Sequence, residues 1–323
     1  MTTQSGLDLK GLHAFLTVAE HKTVRKAADI LGMTPSAVSQ SIASLEMQLG
    51  VELFDRETRP MRLTSAGRRL LLDGSRLLEE IERVRSRVCS ETLSARALRL
   101  GLGESVAATS SPWLLAQLRG KVADLVVYSD LTKPLVERLQ NGKLDVIVCA
   151  GPQIEGEKWA RQLAYEEEFL LVTARGLPSV KTIDELRHLA QTRPYICYNT
   201  ESSDQVQANR ILSAGGMVPA ERIAVSSSYA LVGLIAQTGG FGFLPPANLW
   251  CGRQFLSDVR FTELPQSLNE TRKMWVVGEA VGGIESIDLV RSTAAAVMRE
   301  KMLDEFEAAA PGLGRFVSIG ASA

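Results

Sequence analysis

Four short polar side chains and a proline share one stretch of this chain: Thr34, Pro35, Ser36, Ser39 and Gln40, within the segment A-A-D-I-L-G-M-T-P-S-A-V-S-Q-S-I-A-S-L-E-M-Q-L of residues 27 to 49. The chemistry open to them is hydrogen bonding, with no proton transfer or nucleophilic attack. A glutamine amide can pair bidentately with adenine, a serine hydroxyl with any base, and a proline ring can lie against a thymine methyl. The elements that hold them follow from their neighbours. Gly32 ends a first helix where a left-handed residue is wanted. Thr34 is a good N-cap, and Pro35 suits the first helical position, where its missing N–H costs nothing. Ala37, Val38, Ile42, Leu45 and Leu49 recur at helical spacing and should face inward, leaving Ser36, Ser39, Gln40 and Ser44 outside. The spacing predicts a helix-turn-helix whose second helix presents short polar groups. Taken alone, it also fits an ordinary helix hairpin with a solvated serine face.

The flanks weigh toward the first reading. Leu9, Leu12, Phe15, Leu16 and Ala19 form one apolar stripe, predicting a helix from about Asp8 to His21, and Thr23 can cap another over Val24–Leu31. Residues 51 to 64, V-E-L-F-D-R-E-T-R-P-M-R-L-T, alternate at Val51, Leu53 and at Met61, Leu63. They predict a small hairpin with Arg56, Arg59 and Pro60 near its tip and Arg62 beside it. A basic tip next to such a helix suits phosphate or the minor groove. From Ser65, capped by Thr64, one long helix should run to about Ser94. Leu70, Leu77 and Val84 stand seven apart, with Gly74, Ile81 and Val88 at the offset of four. That is a heptad seam. It fits a helix packed on its own domain or, as favoured here, a linker helix pairing with a second subunit.

Here the residues resemble a known family. The run L-x-x-F-L-T-V-A-E-H, then R-K-A-A-D-I-L-G-M-T-P-S-A-V-S-Q-S-I-A-S-L-E, then L-G-V-E-L-F-D-R and R-L-T-S-A-G, is similar to the N-terminal domain of LysR-type transcriptional regulators over residues 9 to 67. The resemblance implies a winged helix-turn-helix (1–64), a dimerising linker helix (65–95) and a two-lobed α/β effector domain like periplasmic solute-binding proteins (96–310). It implies as partners double-stranded DNA, a small-molecule effector and a homodimer or homotetramer, with RNA polymerase as a further one. Members of that family often carry Arg along the recognition helix; this chain has none between Thr34 and Leu49. Base reading then falls on Pro35, Ser36, Ser39 and Gln40, and affinity on the wing arginines, helix N-termini and dimerisation.

The overall composition narrows the classes. Lys and Arg number 36 against 37 Asp and Glu, a formal net charge of −1. Any nucleic-acid contact must therefore use local patches and symmetry. Cys89, Cys149, Cys197 and Cys251 lie far apart, and the histidines are His13, His21 and His188. No zinc-type spacing is present, so no metal and no cofactor are expected. Relatives that sense peroxide use two nearby cysteines; Cys197 has no such neighbour in sequence, so redox sensing is not expected. The N-terminus has no apolar signal region, which predicts a cytoplasmic protein. Residues 223 to 252 carry no charge, yet glycines and two prolines interrupt them, so a buried helix and strand are expected there.

From Ala97 the pattern changes. Strands are predicted at Ala97–Gly103, Leu125–Tyr128 and Leu144–Cys149, with helices at Ser111–Leu118 and Thr132–Gln140 between them, hence a parallel sheet with covering helices. G-L-G-E-S-V (101–106) lacks the third glycine of a dinucleotide fingerprint. An extended run at Glu166–Thr173 should cross into a second lobe. That lobe is predicted to hold helices at Ile183–Leu189, Asp204–Ala214 and Tyr229–Gln237, and strands at Tyr195–Tyr198, Arg222–Val225 and Phe241–Leu244. Lys273–Val277 returns as a strand, a helix covers about Glu285–Leu303, and the tail from 311 to 323 should be loose. The lobes are expected at 97–167 with 270–303, and at 168–269. The element order, K-L-D-V-I-V and Q-T-G-G-F-G-F-L-P-P resemble the LysR effector domain. Ligands of open α/β sheets sit at strand C-termini. On that rule the effector candidates are Ser105, Val106, Ser129, Thr132, Asn199, Thr200, Ser202, Ser203, Ser226, Ser227 and Phe243. Helix capping explains each serine equally well, and core packing explains Phe243.

No catalytic constellation stands out: His188 has no nucleophile partner, and no paired carboxylates mark the strand ends. The chain is expected to be a DNA-binding, ligand-responsive transcription factor and not an enzyme. A solute-binding module without a gene-regulatory role is the alternative.

Overall fold

The computed structural model describes residues 7–55, 62–89, 96–200 and 202–320. The chain divides into two compact units, Met1–Cys89 and Ser90–Ala323.

The first unit is helical. α1 (Leu9–His21) is capped by Asp8, whose side chain accepts from the Lys10 N–H. α2 (Val24–Leu31) is capped by Thr23 and ends on Gly32 at φ 63°. α3 (Pro35–Leu49) is capped by Thr34 and ends on Gly50 at φ 66°. Both glycines take the left-handed backbone that an L side chain resists. Leu12, Phe15, Val18, Ala27, Val38, Ile42, Leu45, Leu53 and Phe54 form the core. α1 and α3 approach so closely at Gly11 that a Cβ there would sit 2.9 Å from the Ser41 carbonyl oxygen.

β1 (Phe54–Asp55) and β2 (Arg62–Leu63) pair antiparallel, Phe54 opposite Leu63. The hairpin is shorter than the alternation predicts. Val51 lies outside the strands and is exposed, while Leu53 is buried beneath them. The predicted tip, with Arg56, Arg59 and Pro60, lies outside the described residues, as does Met61. α4 (Ser65–Cys89) follows, 25 residues, or about 37 Å of rod. Leu70, Leu71 and Leu78 pack on the first unit's core. Gly74 faces the same core: a Cβ there would meet Leu12 Cδ1 at 2.7 Å. The early turns of α4 thus pack on their own unit, whereas Leu77 and Val84 are exposed.

The second unit is α/β. Its order is β3 (Ala97–Gly103), α5 (Glu104–Ala108), α6 (Ser111–Leu118), β4 (Asp124–Asp130), α7 (Thr132–Gln140), β5 (Val146–Ala150), β6 (Trp159–Glu168), β7 (Leu170–Ala174), α8 (Ile183–Thr192), β8 (Tyr195–Tyr198), α9 (Ser203–Ala214), β9 (Arg222–Val225), α10 (Ser228–Thr238), β10 (Phe241–Leu244), α11 (Pro246–Cys251), β11 (Val259–Glu263), β12 (Thr271–Glu279), α12 (Ala280–Val297), α13 (Leu303–Ala309) and β13 (Val317–Ser318). Six strands form one sheet in the order β13-β6-β12-β5-β3-β4, and five form another, β11-β7-β10-β8-β9. The chain passes between the sheets twice, at Phe169 and between β11 and β12, so each sheet supports one lobe.

The three strands expected to be parallel, β4-β3-β5, are so; β12 joins them antiparallel to both β5 and β6, which makes the whole sheet mixed. The return through β12 reverses direction without a crossover helix. The tail, expected to be loose, is held in place as far as Ser318. Phe316 is buried, and Val317–Ser318 pair with β6 opposite Glu167 and Glu166. An apolar anchor and one free sheet edge suffice to fix it.

Candidate nucleic-acid interface and ligand cleft

The outer face of α3 is built as its sequence requires. Thr34 Oγ1 accepts from the Ala37 N–H at 3.2 Å. Ser39 Oγ donates back to the Pro35 carbonyl at 3.0 Å. Thr34, Pro35, Ser36, Ser39, Gln40 and Ser44 are all exposed, while Val38, Ile42 and Leu45 are buried. Two inward positions fall short: Leu49 is 38 % exposed, because the last turn of α3 extends past the core, and Ala37 in the first turn is half-buried. Arg62 is exposed on β2.

The same helix positions the hairpin through a residue sequence reasoning missed. Glu46 is buried, and its Oε1 accepts from the N–H groups of Leu53 at 2.7 Å and Phe54 at 3.3 Å. Thr64 Oγ1 donates to the Glu52 carbonyl at 2.7 Å and accepts from the Gly67 N–H at 3.0 Å. Arg68 donates to the Leu63 carbonyl at 2.9 Å. Both hairpin strands are thus tied at their bases. Gly67 fits beneath one of them: a Cβ would lie 2.2 Å from the Leu53 carbonyl oxygen.

In the second unit a cleft opens between the lobes. It is lined by Gly103, Glu104, Ser105, Asp130, Leu131, Thr132, Ala150, Tyr198, Ser202, Ser203, Asp204, Ser226, Arg272 and Met274. Of the expected residues, Ser105, Thr132, Ser202, Ser203 and Ser226 are brought together there. Val106 and Phe243 are not: both point into hydrophobic cores, Val106 between the lobes and Phe243 against Tyr195 and Phe241. Ser129 is exposed at the end of β4, where strand alternation turns it away. Asn199, Thr200 and Ser227 lie beside the lining residues without joining them.

Behind the cleft lies a buried polar network. Arg272 is 1 % exposed and Glu167 0 %. Arg272 Nη1 donates to Asp204 at 2.9 Å, to Asn248 Oδ1 at 2.7 Å and to Ser105 Oγ at 3.2 Å. Its Nε donates to Glu167 Oε2 at 3.1 Å, and Nη2 donates to the same oxygen. Glu167 Oε1 accepts from the Ala247 N–H at 2.8 Å, at the start of α11. Desolvation works against the guanidinium's charge, but Asp204 and Glu167 outweigh it and raise its pKa above the ordinary value. Asn248 Nδ2 donates to both Asp204 Oδ2 and the Tyr198 hydroxyl. Tyr198 donates to Ser228 Oγ, and Ser228 donates to Glu104 Oε2 at 3.0 Å. The chain of bonds joins the lobes, with Arg272, Glu167, Ser105 and Glu104 on one side and Asp204, Asn248, Tyr198 and Ser228 on the other. Burial pushes the Glu104 carboxyl above the ordinary carboxylate range; hydrogen bonds from the Ser228 side chain and backbone oppose this.

Among the described residues no cluster of His, Cys, Asp and Glu could hold a metal ion, and no helix is long and apolar enough to cross a membrane. Cys149 and Cys197 are buried and Cys251 partly so, all three as free thiols. Burial pushes Cys149 and Cys251 up to about 12.

Residues 9–68 match the family model for bacterial regulatory helix-turn-helix proteins of the lysR family, and residues 92–269 match the LysR substrate binding domain. The HTH-type transcriptional regulator GltR of Bacillus subtilis is 27 % identical over 241 residues, covering 74 % of this chain and 80 % of that one. A probable hydrogen peroxide-inducible genes activator of Mycobacterium xenopi is 36 % identical over 174 residues, 53 % of this chain and 91 % of that protein. A full-length OxyR variant from Pseudomonas aeruginosa shares the fold with a TM-score of 0.61 at 18 % identity, over 90 % of this chain and 95 % of that one.

Proposed function

This chain belongs to the LysR family of bacterial helix-turn-helix regulatory proteins, and from that premise we propose how its parts divide the work of a DNA-binding transcriptional regulator. The family gives the coarse function: DNA binding by the N-terminal unit and effector binding by the α/β unit. The finer assignment is ours. The exposed α3 face reads bases in the major groove through Ser36, Ser39 and Gln40, with Thr34 and Pro35 at its leading end. Arg62, with Arg56 and Arg59 of the hairpin, holds phosphate or the minor groove. The observation that carries this is the polar, arginine-free α3 face next to a hairpin anchored at both strand bases.

Two copies pair so that two α3 helices meet successive major-groove faces, and the exposed Leu77 and Val84 of α4 supply part of that contact. Pairs assemble further to a tetramer. A small molecule in the cleft binds two assembly states unequally and so changes DNA bending or polymerase access. The protein works in the cytoplasm and by binding alone, without a catalytic step. The mycobacterial relative's name raises peroxide as a signal, but burial pushes the Cys149 and Cys251 thiols up to about 12 and leaves those two little thiolate to react.

The test compares two groups of variants on matched and scrambled DNA. Ser36→Ala and Gln40→Ala should change sequence preference. Arg56→Ala and Arg59→Ala should weaken binding to every sequence and lower the salt slope by about 1 each. Equal losses on all DNA from both groups would refute the division.

A further inference from the structure

The cleft is acidic where a carboxylate effector would need it basic. Glu104, Asp130 and Asp204 face it against one guanidinium, Arg272, and that cation is already held by Asp204 and by Glu167 behind it. At the helix starts, the usual anion sites of such a cleft, the chain places its own carboxylates. Asp130 Oδ1 accepts from the Leu131 N–H at 2.8 Å just ahead of α7. Asp204 stands in the first turn of α9. Glu104 accepts from both the hydroxyl and the backbone N–H of Ser228, at the start of α10. A ligand anion at these helix starts would meet three carboxylates. The free volume among them is about 30 Å³, roughly twice what one water needs.

We propose that the cleft takes a cationic effector, seating a primary ammonium or a group of similar size between Glu104 and Asp130. This rests on the reading of the cleft as the effector site. Charge sign decides the class: among the described residues, the facing carboxylates Glu104 and Asp130 have no ion-pair partner, whereas the one facing guanidinium is already paired. Glu104 is desolvated and accepts from Ser228, so an ammonium beside it would add an opposite charge that favours its ionised form. Thr132 adds a hydroxyl at the rim, donating to the Ala150 carbonyl at 2.9 Å and keeping lone pairs for a donor ligand.

The experiment uses the full chain and two matched probe panels at equal ionic strength: propylamine and 1,4-diaminobutane against propionate and succinate. Thermal unfolding and DNA affinity are both followed. The amines should raise the melting temperature saturably and the acids should not. Glu104→Gln and Asp130→Asn should each weaken the amine effect tenfold or more, and two variants guard against a folding defect in either. Saturable protection by the acids alone would overturn the cationic class while leaving the cleft as an effector site. No protection and no change in DNA affinity with either panel would overturn both.

Discussion

Arg272 and Glu167 stand directly opposite each other on neighbouring antiparallel strands, and neither side chain reaches water. The pair lies where the sheet of the first lobe meets the second, and Arg272 continues to Asp204 and Asn248 across that junction. Removing the cation would strand two buried carboxylates. Arg272→Met should therefore destabilise the α/β unit by about 3–5 kcal/mol. Denaturant unfolding of the full chain, followed by a probe in that unit, measures it; a loss below about 1 kcal/mol would show that the network carries little of the stability.

Glu104 sets a pH dependence with an unusual sign for a carboxylate. Burial raises its folded pKa, Asp204 adds to the rise, and the bonds from Ser228 and the charge of Arg272 oppose it. The folded state thus holds this proton more tightly than the unfolded chain does. Its contribution is fully present below the unfolded value of about 4.3 and is lost as pH rises through the folded value. Glu104→Gln keeps an acceptor for Ser228 and has no charge to desolvate. The variant should gain stability relative to the parent as pH rises from about 4 to 7. Melting curves that run parallel across that window would contradict the assignment.

Glu46 links base reading to the hairpin. Glu46→Ala leaves the Leu53 and Phe54 N–H groups unsatisfied at a cost of about 1–3 kcal/mol. Glu46→Gln, whose amide oxygen still accepts, should restore much of that. DNA affinity should fall in Glu46→Ala on all sequences alike, since the hairpin and not the α3 face is released. A changed base preference in that variant would place Glu46 in a different role.

The helix-turn-helix was legible because caps and glycines are local. Thr23, Thr34, Gly32 and Pro35 act on backbone groups a few residues away, so their positions fix the helix ends. Most strands and helices of the α/β unit followed from periodicity for the same reason. The cleft was half legible. Ser105, Thr132, Ser202, Ser203 and Ser226 follow from the strand-end rule, which holds for the parallel strands. Arg272 does not, because it comes from an antiparallel strand through a pairing with Glu167 that is 105 residues distant. One signal was available: alternation along β12 sets Arg272 on the same face as the buried Met274 and Val276, and an inward charge in a strand demands a partner. Glu46 hid in the same manner, a carboxylate at a position the helical period assigns to the core. Val106 and Phe243 erred in the other direction, since the strand-end rule locates a cleft but does not say which neighbours face it. β6 escaped because its half-buried, charge-rich run lacks strict alternation.

Binding of the full-length protein to DNA flanking its own gene, titrated across salt, tests the central claim most directly. Saturable binding that weakens steeply with salt, and that prefers this DNA over a scrambled duplex, is the predicted result. Binding that shows no preference at any salt, with and without the amine probes, would contradict it.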